Sequence, residues 1–189
     1  MEKYIPQLFI VPSPEAEVLG QAMLGFVEGL RESPFKFIIE ANDLSHIEGD
    51  KWYPMQSALN LFKALYEDPH GPNYDLVVVG MKAMGSLSLL SQADSIEEAL
   101  RAVDYISRSF ARNVPEDFGF LLEMRGEGHA LVTNNTPVPD SGLYGLLWNI
   151  VNSSKAPDEI YLVRALDAHP GMPTVFEIKW GFEEDGLTE

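Results

Sequence analysis

The chain contains no cysteine. Disulfides, thiolate nucleophiles and cysteine-based zinc sites are therefore excluded. Cations are scarce, with 13 lysines and arginines against 29 aspartates and glutamates and a formal net charge of -16. Such a surplus opposes phosphate backbones and anionic membrane surfaces, so nucleic-acid binding is not expected. The acidity is read as serving solubility or a basic partner. No apolar run approaches the roughly 20 residues of a membrane span. The N-terminal stretch MEKYIPQLFIVPSP is broken by Pro6 and Pro12 and lacks the form of a signal peptide. The expectation is a cytoplasmic protein without a membrane span.

Catalytic motifs are missing as well. None of His46, His70, His129 and His169 forms H-x-x-x-H or H-E-x-x-H, so helical zinc ligation has no support. There is no G-x-S-x-G nucleophile elbow. The segment Val79 to Ser86 has glycines after an apolar run, but Ser86 follows Gly85 where a phosphate loop requires lysine. Without that charge the backbone cradle is incomplete.

What is present is a core. Hydrophobic residues make up 46% of 189 positions, enough for a single domain over residues 1–189. Residues 1–12 read as an extended arm and the acidic stretch 183–189 as a disordered tail. Ser13-Pro14 reads as a helix start, followed by Ala16, Leu19, Met23, Phe26, Val27 and Leu30 at helical spacing. Phe35 to Ile39 reads as a short strand or an extended linker. A second helix is expected near Asp50, with Trp52, Met55, Leu59, Phe62 and Leu65 on one stripe. Residues 76–90 fit either a buried helix or a strand followed by a helix. Ser95 and Glu98 form an S-x-x-E capping box ahead of an apolar face of Ile96, Ala99, Leu100, Val103, Ile106 and Phe110.

From Phe118 the pattern changes. Two strand-like runs meet at Gly126-Glu127-Gly128 and read as a hairpin. The loop Asn134 to Ser141 leads into a helix with Leu143, Leu146, Leu147, Ile150 and Val151 on one stripe. Glu159 to Ala168 and Thr174 to Phe182 then read as a second strand pair. The expected fold is α+β, with N-terminal helices packed on a four-stranded antiparallel sheet and a strand-strand-helix-strand-strand C-terminal half.

Candidate ligand-binding residues are aromatic. Tyr144 and Trp148 are four apart on one helix and so are neighbours. Trp52, Tyr53 and Trp180 join them as possible walls of an apolar cavity, though ordinary core or subunit contact is the simpler account of each. Arg125 or Arg164 would supply a charge for an acidic ligand. His129 opens a strand beside the hairpin turn, where it would face a ligand carboxylate or, as a minority reading, haem iron. No metal ligands and no catalytic residues are assigned.

The helix at Trp52, the capped helix at Ser95 and the segment GHALVTNNTPVPDSGLYGLLW resemble the ligand-binding fold of 4-vinyl reductase-type domains, the associated domains of haem-based nitric-oxide sensors and Golgi-transport tethering subunits. The stretch from NYDLVVVG through SIEEAL resembles N-terminal sensing domains of AraC-type regulators. The chain departs from the reductase-type pattern by its lack of cysteine, and from the regulators by its lack of a DNA-binding output domain. The resemblance implies a non-enzymatic small-molecule-binding or sensory module, dimeric as a homodimer, with an apolar or aromatic molecule held between helices and sheet. Two alternatives stand beside it. One is an interaction scaffold without ligand. The other is a small α/β enzyme binding a nucleotide or phosphorylated substrate through residues 76–86, which requires a parallel sheet.

Overall fold

The structure is a computed structural model and describes residues 3–31, 36–67, 77, 81, 93–154, 158–166 and 172–182, with the backbone alone at 26 and 29. The fold is α+β and every strand pairing among these residues is antiparallel. A sheet of three short strands, β1 (Glu17–Leu19), β2 (Trp52–Pro54) and β3 (Ala111–Arg112), runs in the order β2-β1-β3. A larger sheet holds β4 (Gly119–Gly126), β5 (His129–Asn135), β6 (Tyr161–Ala165) and β7 (Val175–Trp180) in the order β4-β5-β7-β6. The helices are α1 (Gly20–Leu30), α2 (Lys36–Ala41), α3 (Met55–Tyr66), α4 (Ile96–Ser109) and α5 (Asp140–Ser154).

The C-terminal half follows its sequence pattern closely. β4 and β5 meet at Gly126-Glu127-Gly128, where Gly126 has φ 145° and Gly128 φ 69°. A Cβ at Gly128 would also lie 2.4 Å from the Trp180 carbonyl oxygen, so glycine is needed there on two counts. Alternation along the strands turns Ala130 and Val132 of β5, Phe176 and Ile178 of β7 and Val163 of β6 towards the helices. Against them pack Ile96, Ala99, Leu100, Val103 and Ile106 of α4 and Leu143, Leu147, Ile150 and Val151 of α5. The Ser95 hydroxyl accepts the Glu98 amide at 3.2 Å, while the Glu98 carboxylate accepts the Asp94 amide at 3.0 Å. The capping box therefore closes one residue earlier than its usual reciprocal form. The back of α5 meets residue 77 closely: a Cβ at Gly145 would lie 2.0 Å from the Val77 carbonyl oxygen. One turn on, the Asn149 side-chain amide donates to the Met81 carbonyl at 2.8 Å.

The N-terminal half departs from its sequence pattern in three places. The helix expected from Ser13 starts at Gly20, because Glu17–Leu19 is taken by strand pairing with both Trp52–Pro54 and Ala111–Arg112. The Ser13 hydroxyl donates to the Asn113 carbonyl at 2.8 Å and does not cap a helix. The helix expected near Asp50 starts at Met55, since Trp52–Pro54 is the strand that pairs with β1. The segment expected as strand or linker at Phe35 to Ile39 is helical from Lys36, with adjacent Ile38 and Ile39 both buried, which a two-residue alternation does not allow. Of residues 76–90, 77 and 81 are helical and the rest lie outside the described residues, as does the acidic tail 183–189. The parallel sheet that a nucleotide-binding alternative requires is absent from the described residues. No described helix is long and apolar enough to cross a membrane.

Candidate functional site: a cavity at the arm, the β5–α5 loop and the start of β7

The six residues singled out in the sequence separate into three places. Trp52 lies on β2, where the Arg112 guanidinium sits 4.5 Å over its ring. Arg112 also donates to Glu17 at 2.6 Å, a hydrogen bond that outweighs slight desolvation and lowers the Glu17 pKa. Tyr53 accepts the Glu48 amide on its hydroxyl at 2.9 Å and borders the α1–α2–α3 core. Both residues therefore have structural partners, Trp52 in the small sheet and Tyr53 beside it.

Tyr144 and Trp180 pack against the helix–sheet layer, and Tyr161 links Trp148 to both. Trp148 stands edge-on to Tyr161 with centroids 6.3 Å apart, and Tyr144 lies 6.4 Å from Phe176. Trp180 faces Tyr161 across the β6–β7 register. Burial, and then the nearby Tyr144, push the Tyr161 phenol up. Tyr161 and Phe176 complete this aromatic cluster, and neither stands out in the sequence.

His129 lies on the other face of the sheet. Its neighbour Ala130 points into the core and the pleat turns His129 away from it. Its Nε2 is 3.0 Å from Glu177 Oε1, but off the hydrogen-bonding line. Glu177, only 7% exposed, also takes Arg164 at 2.7 Å and Lys179 at 3.6 Å. Burial alone would raise the Glu177 pKa; the Arg164 hydrogen bond and charge, with Lys179 and His129, outweigh it and hold the carboxyl below its ordinary value. Arg164 is thereby committed to Glu177, and Arg125 to Glu123 at 2.9 Å. His46 is exposed, while His70 and His169 lie outside the described residues.

A cavity of about 400 Å³ opens elsewhere, lined by none of these six residues. Its walls come from Pro6 and Leu8 of the arm, Tyr66 at the end of α3, Val138 and Pro139 of the β5–α5 loop, and Met172 and Pro173 ahead of β7. Its polar floor is Asn134, Thr136, Asp140, Ser141 and Thr174. Asn134, Thr136, Asp140 and Thr174 form one hydrogen-bonded network. Thr136 donates to Asn134 Oδ1 at 2.7 Å. Asn134 Nδ2 donates to the Val138 carbonyl at 3.0 Å and to Asp140 Oδ1 at 2.8 Å. Thr174 donates to Asp140 Oδ2 at 2.7 Å.

The arm is held in place by the Phe9 amide donating to the Pro137 carbonyl at 3.0 Å, by Gln56 donating to the Phe9 carbonyl at 3.1 Å, and by the Phe9–Tyr66 ring contact at 5.5 Å. Phe9 itself adopts φ 62°, which turns the arm around its one buried aromatic. Exposed apolar side chains line the cavity, Leu8, Tyr66 and Met172 on its walls, and the arm carries Ile5 and Ile10 as well, each of the five 47–58% exposed. Sequence reasoning did not select this place. Its traces were the apolar but proline-broken arm and a loop, Asn134 to Ser141, unusually rich in amide and hydroxyl groups.

No family model matches the sequence and no curated protein matches it. The fold does match solved structures. An H-NOX protein from K. algicida in the Fe(II) unliganded state superposes with a TM-score of 0.59 at 10% identity, covering 88% of this chain and 98% of that one. An S. oneidensis H-NOX protein in the Fe(II)NO state gives 0.59 at 7% identity, over 87% of this chain and 99% of that one. An oxygen-binding H-NOX domain related to soluble guanylate cyclases, solved as its oxygen complex, gives 0.58 at 12% identity, over 87% and 97%. Identities this low speak to architecture alone, and by its architecture the chain has the H-NOX fold.

Proposed function

We propose that this protein is a non-enzymatic sensory module that takes a small apolar or aromatic molecule in the cavity between the N-terminal arm, the β5–α5 loop and the start of β7. One observation carries the reading: three of the exposed large hydrophobic side chains, Leu8, Tyr66 and Met172, line a cavity with a polar floor. Exposed apolar groups gathered around a concavity mark binding surfaces, and about 400 Å³ lies in the range of small-molecule sites. The expected location between helices and sheet fits less well, because Leu143, Leu147, Ile150, Val103 and Phe176 fill that layer. The fold neighbours, which include gas-binding proteins, support a sensory role over an enzymatic one.

Those neighbours also imply haem, since one of them was solved in work on haem redox potential and porphyrin distortion. Haem needs an axial ligand facing an apolar pocket. The inward face of α4 offers only Ile96, Ala99, Leu100, Val103 and Ile106. His129 faces away from the core and contacts Glu177. The described residues do not fit the group, and the proposal does not use it.

The test is thermal unfolding with 4-phenylbutan-1-ol as probe. At about 100 times its Kd a ligand stabilises by about 2.7 kcal/mol, which raises the Tm of a chain this size by roughly 5–10 °C. Ser141→Trp places an indole in the cavity and is expected to abolish the rise. No stabilisation of the wild type at saturating probe, or an equal rise in the variant, would sink the reading.

A further inference from the structure

We infer that the cavity selects a cationic amphiphile: a molecule with an apolar body and a primary ammonium or similar donor-rich head. The inference rests on the binding reading above and names its ligand class. The chemistry of the floor carries it.

Asp140 is the one charged side chain among the twelve described lining residues, which include no lysine, arginine or histidine. Asp140 belongs to no ion pair among the described residues. The side-chain donors of Asn134, Thr136 and Thr174 are already committed. Both amide hydrogens of Asn134 go to Val138 and Asp140, the Thr174 hydroxyl goes to Asp140, and the Thr136 hydroxyl goes to Asn134. What these groups still present to a ligand is lone pairs: those of the Asp140 carboxylate, which Asn134 and Thr174 hold by one oxygen each, and those of the threonine hydroxyls. The hydroxyls of Ser141 and Tyr66 can either donate or accept. Such an acceptor-rich floor satisfies a head group with several N–H donors and leaves a carboxylate head facing like charge.

The simpler role for Asp140 is that of an acid in the first turn of α5, complementing the helix dipole. That role and the hydrogen bonds from Asn134 and Thr174 hold the exposed carboxylate in place, and they leave it without a cationic partner among the described residues lining the cavity. The net charge of -16 adds a general attraction for cations. This attraction is shared by the whole surface, and a single neutralising substitution hardly changes it.

The experiment uses three probes with one body: 4-phenylbutylammonium, 4-phenylbutan-1-ol and 4-phenylbutyrate, titrated into the full chain by calorimetry at pH 7 and low salt. The expected order is ammonium, then alcohol, then carboxylate, with about tenfold or more between the first and last. Asp140→Asn keeps an acceptor for Asn134 and is expected to reduce that ratio to about threefold or less, since one exposed charge pair is worth no more than this difference. Ser141→Lys places a cation on the same floor and is expected to reverse the order. Should Asp140→Asn not fold, the wild-type order and the Ser141→Lys reversal still decide the matter. If all three probes bind alike, if the carboxylate binds best, or if Asp140→Asn leaves the ratio unchanged, the cationic assignment is overturned and the cavity remains a binding site. If none binds, the assignment and the binding reading fall together.

Discussion

The helix–sheet layer and the cavity at the arm use apolar side chains in opposite ways. In the layer, α4 and α5 present aliphatic stripes to the inner faces of β5, β6 and β7, and Leu147, Ile150, Val151, Ala130 and Ile178 have no exposed surface. At the arm, Ile5, Leu8, Ile10, Tyr66 and Met172 are about half in water, although their residue types are those of a core. Transfer of such side chains out of water is worth about 1.5–3 kcal/mol each when complete. The layer has realised that gain and the arm has not. A surface that forgoes it has its apolar groups available for a ligand, while a filled interior has none to spare.

The largest effect that separates the two regions is a truncation in each. Leu147→Ala removes a fully buried side chain between α5 and the sheet and is expected to cost about 2–5 kcal/mol. Leu8→Ala on the rim, 47% exposed, is expected to change stability by about 0.5 kcal/mol or less while weakening the binding of 4-phenylbutan-1-ol. Urea unfolding with the probe present and absent reads both. Equal stability losses at the two positions would erase the distinction between filled layer and open cavity.

A smaller effect tests the outer face of the same sheet. Glu177→Gln leaves Arg164 and Lys179 without their carboxylate and is expected to cost about 1.5–3 kcal/mol at neutral pH, the worth of hydrogen bonds to a charged group. Because the folded-state pKa of Glu177 is lowered from 4.5, its contribution is present above that ordinary value and is lost as the pH falls through the folded-state value. Wild type and variant should therefore converge in stability as the pH falls from 4.5 through that lowered value. A gap that persists undiminished into acid would show that the carboxylate's charge is not what matters.

The sequence revealed the two halves unequally, for a physical reason. In residues 118–182 the local pattern and the tertiary structure agree. The β-turn glycines have the positive φ they were suited for, and alternation and helical stripes bury the residues they predict. In residues 13–55 tertiary pairing overrides local preference. Ser13 and Pro14 are good helix starters, yet residues 17–19 pair with residues 111–112, nearly a hundred positions away, and no local window contains that partner. Similarly, the aromatic side chains were legible as a class, but their grouping was not. Trp148 meets Tyr161 only because β6 returns beside α5, and Trp52 is held by an arginine sixty positions on. The cavity was the least legible feature, since its lining comes from the arm, α3, a loop and the approach to β7. Such a constellation has no spacing to read.

The smallest effect returns to the filled layer and asks whether its first turn is as well fixed as its interior. Ser95 caps α4 by accepting the Glu98 amide, and Glu98 answers at the Asp94 amide. Both groups are exposed, so water can replace part of what a substitution removes. Ser95→Ala is accordingly expected to cost about 1 kcal/mol, and Ser95→Gly only a few tenths, because glycine leaves the amide open to solvent. At the arm Ser13 has the same residue type and no cap to lose, its hydroxyl being given to Asn113. Chemical denaturation of Ser95→Ala beside Ser13→Ala tests the contrast within one residue type. The alanine-to-glycine difference at Ser95 then identifies the cause, since a loss of equal size in both variants would point to packing instead of capping. A cost well above 2 kcal/mol would mean that the capping turn is coupled to the buried stripe of Ile96 and Ala99 behind it, and that the layer's cooperativity reaches its exposed end.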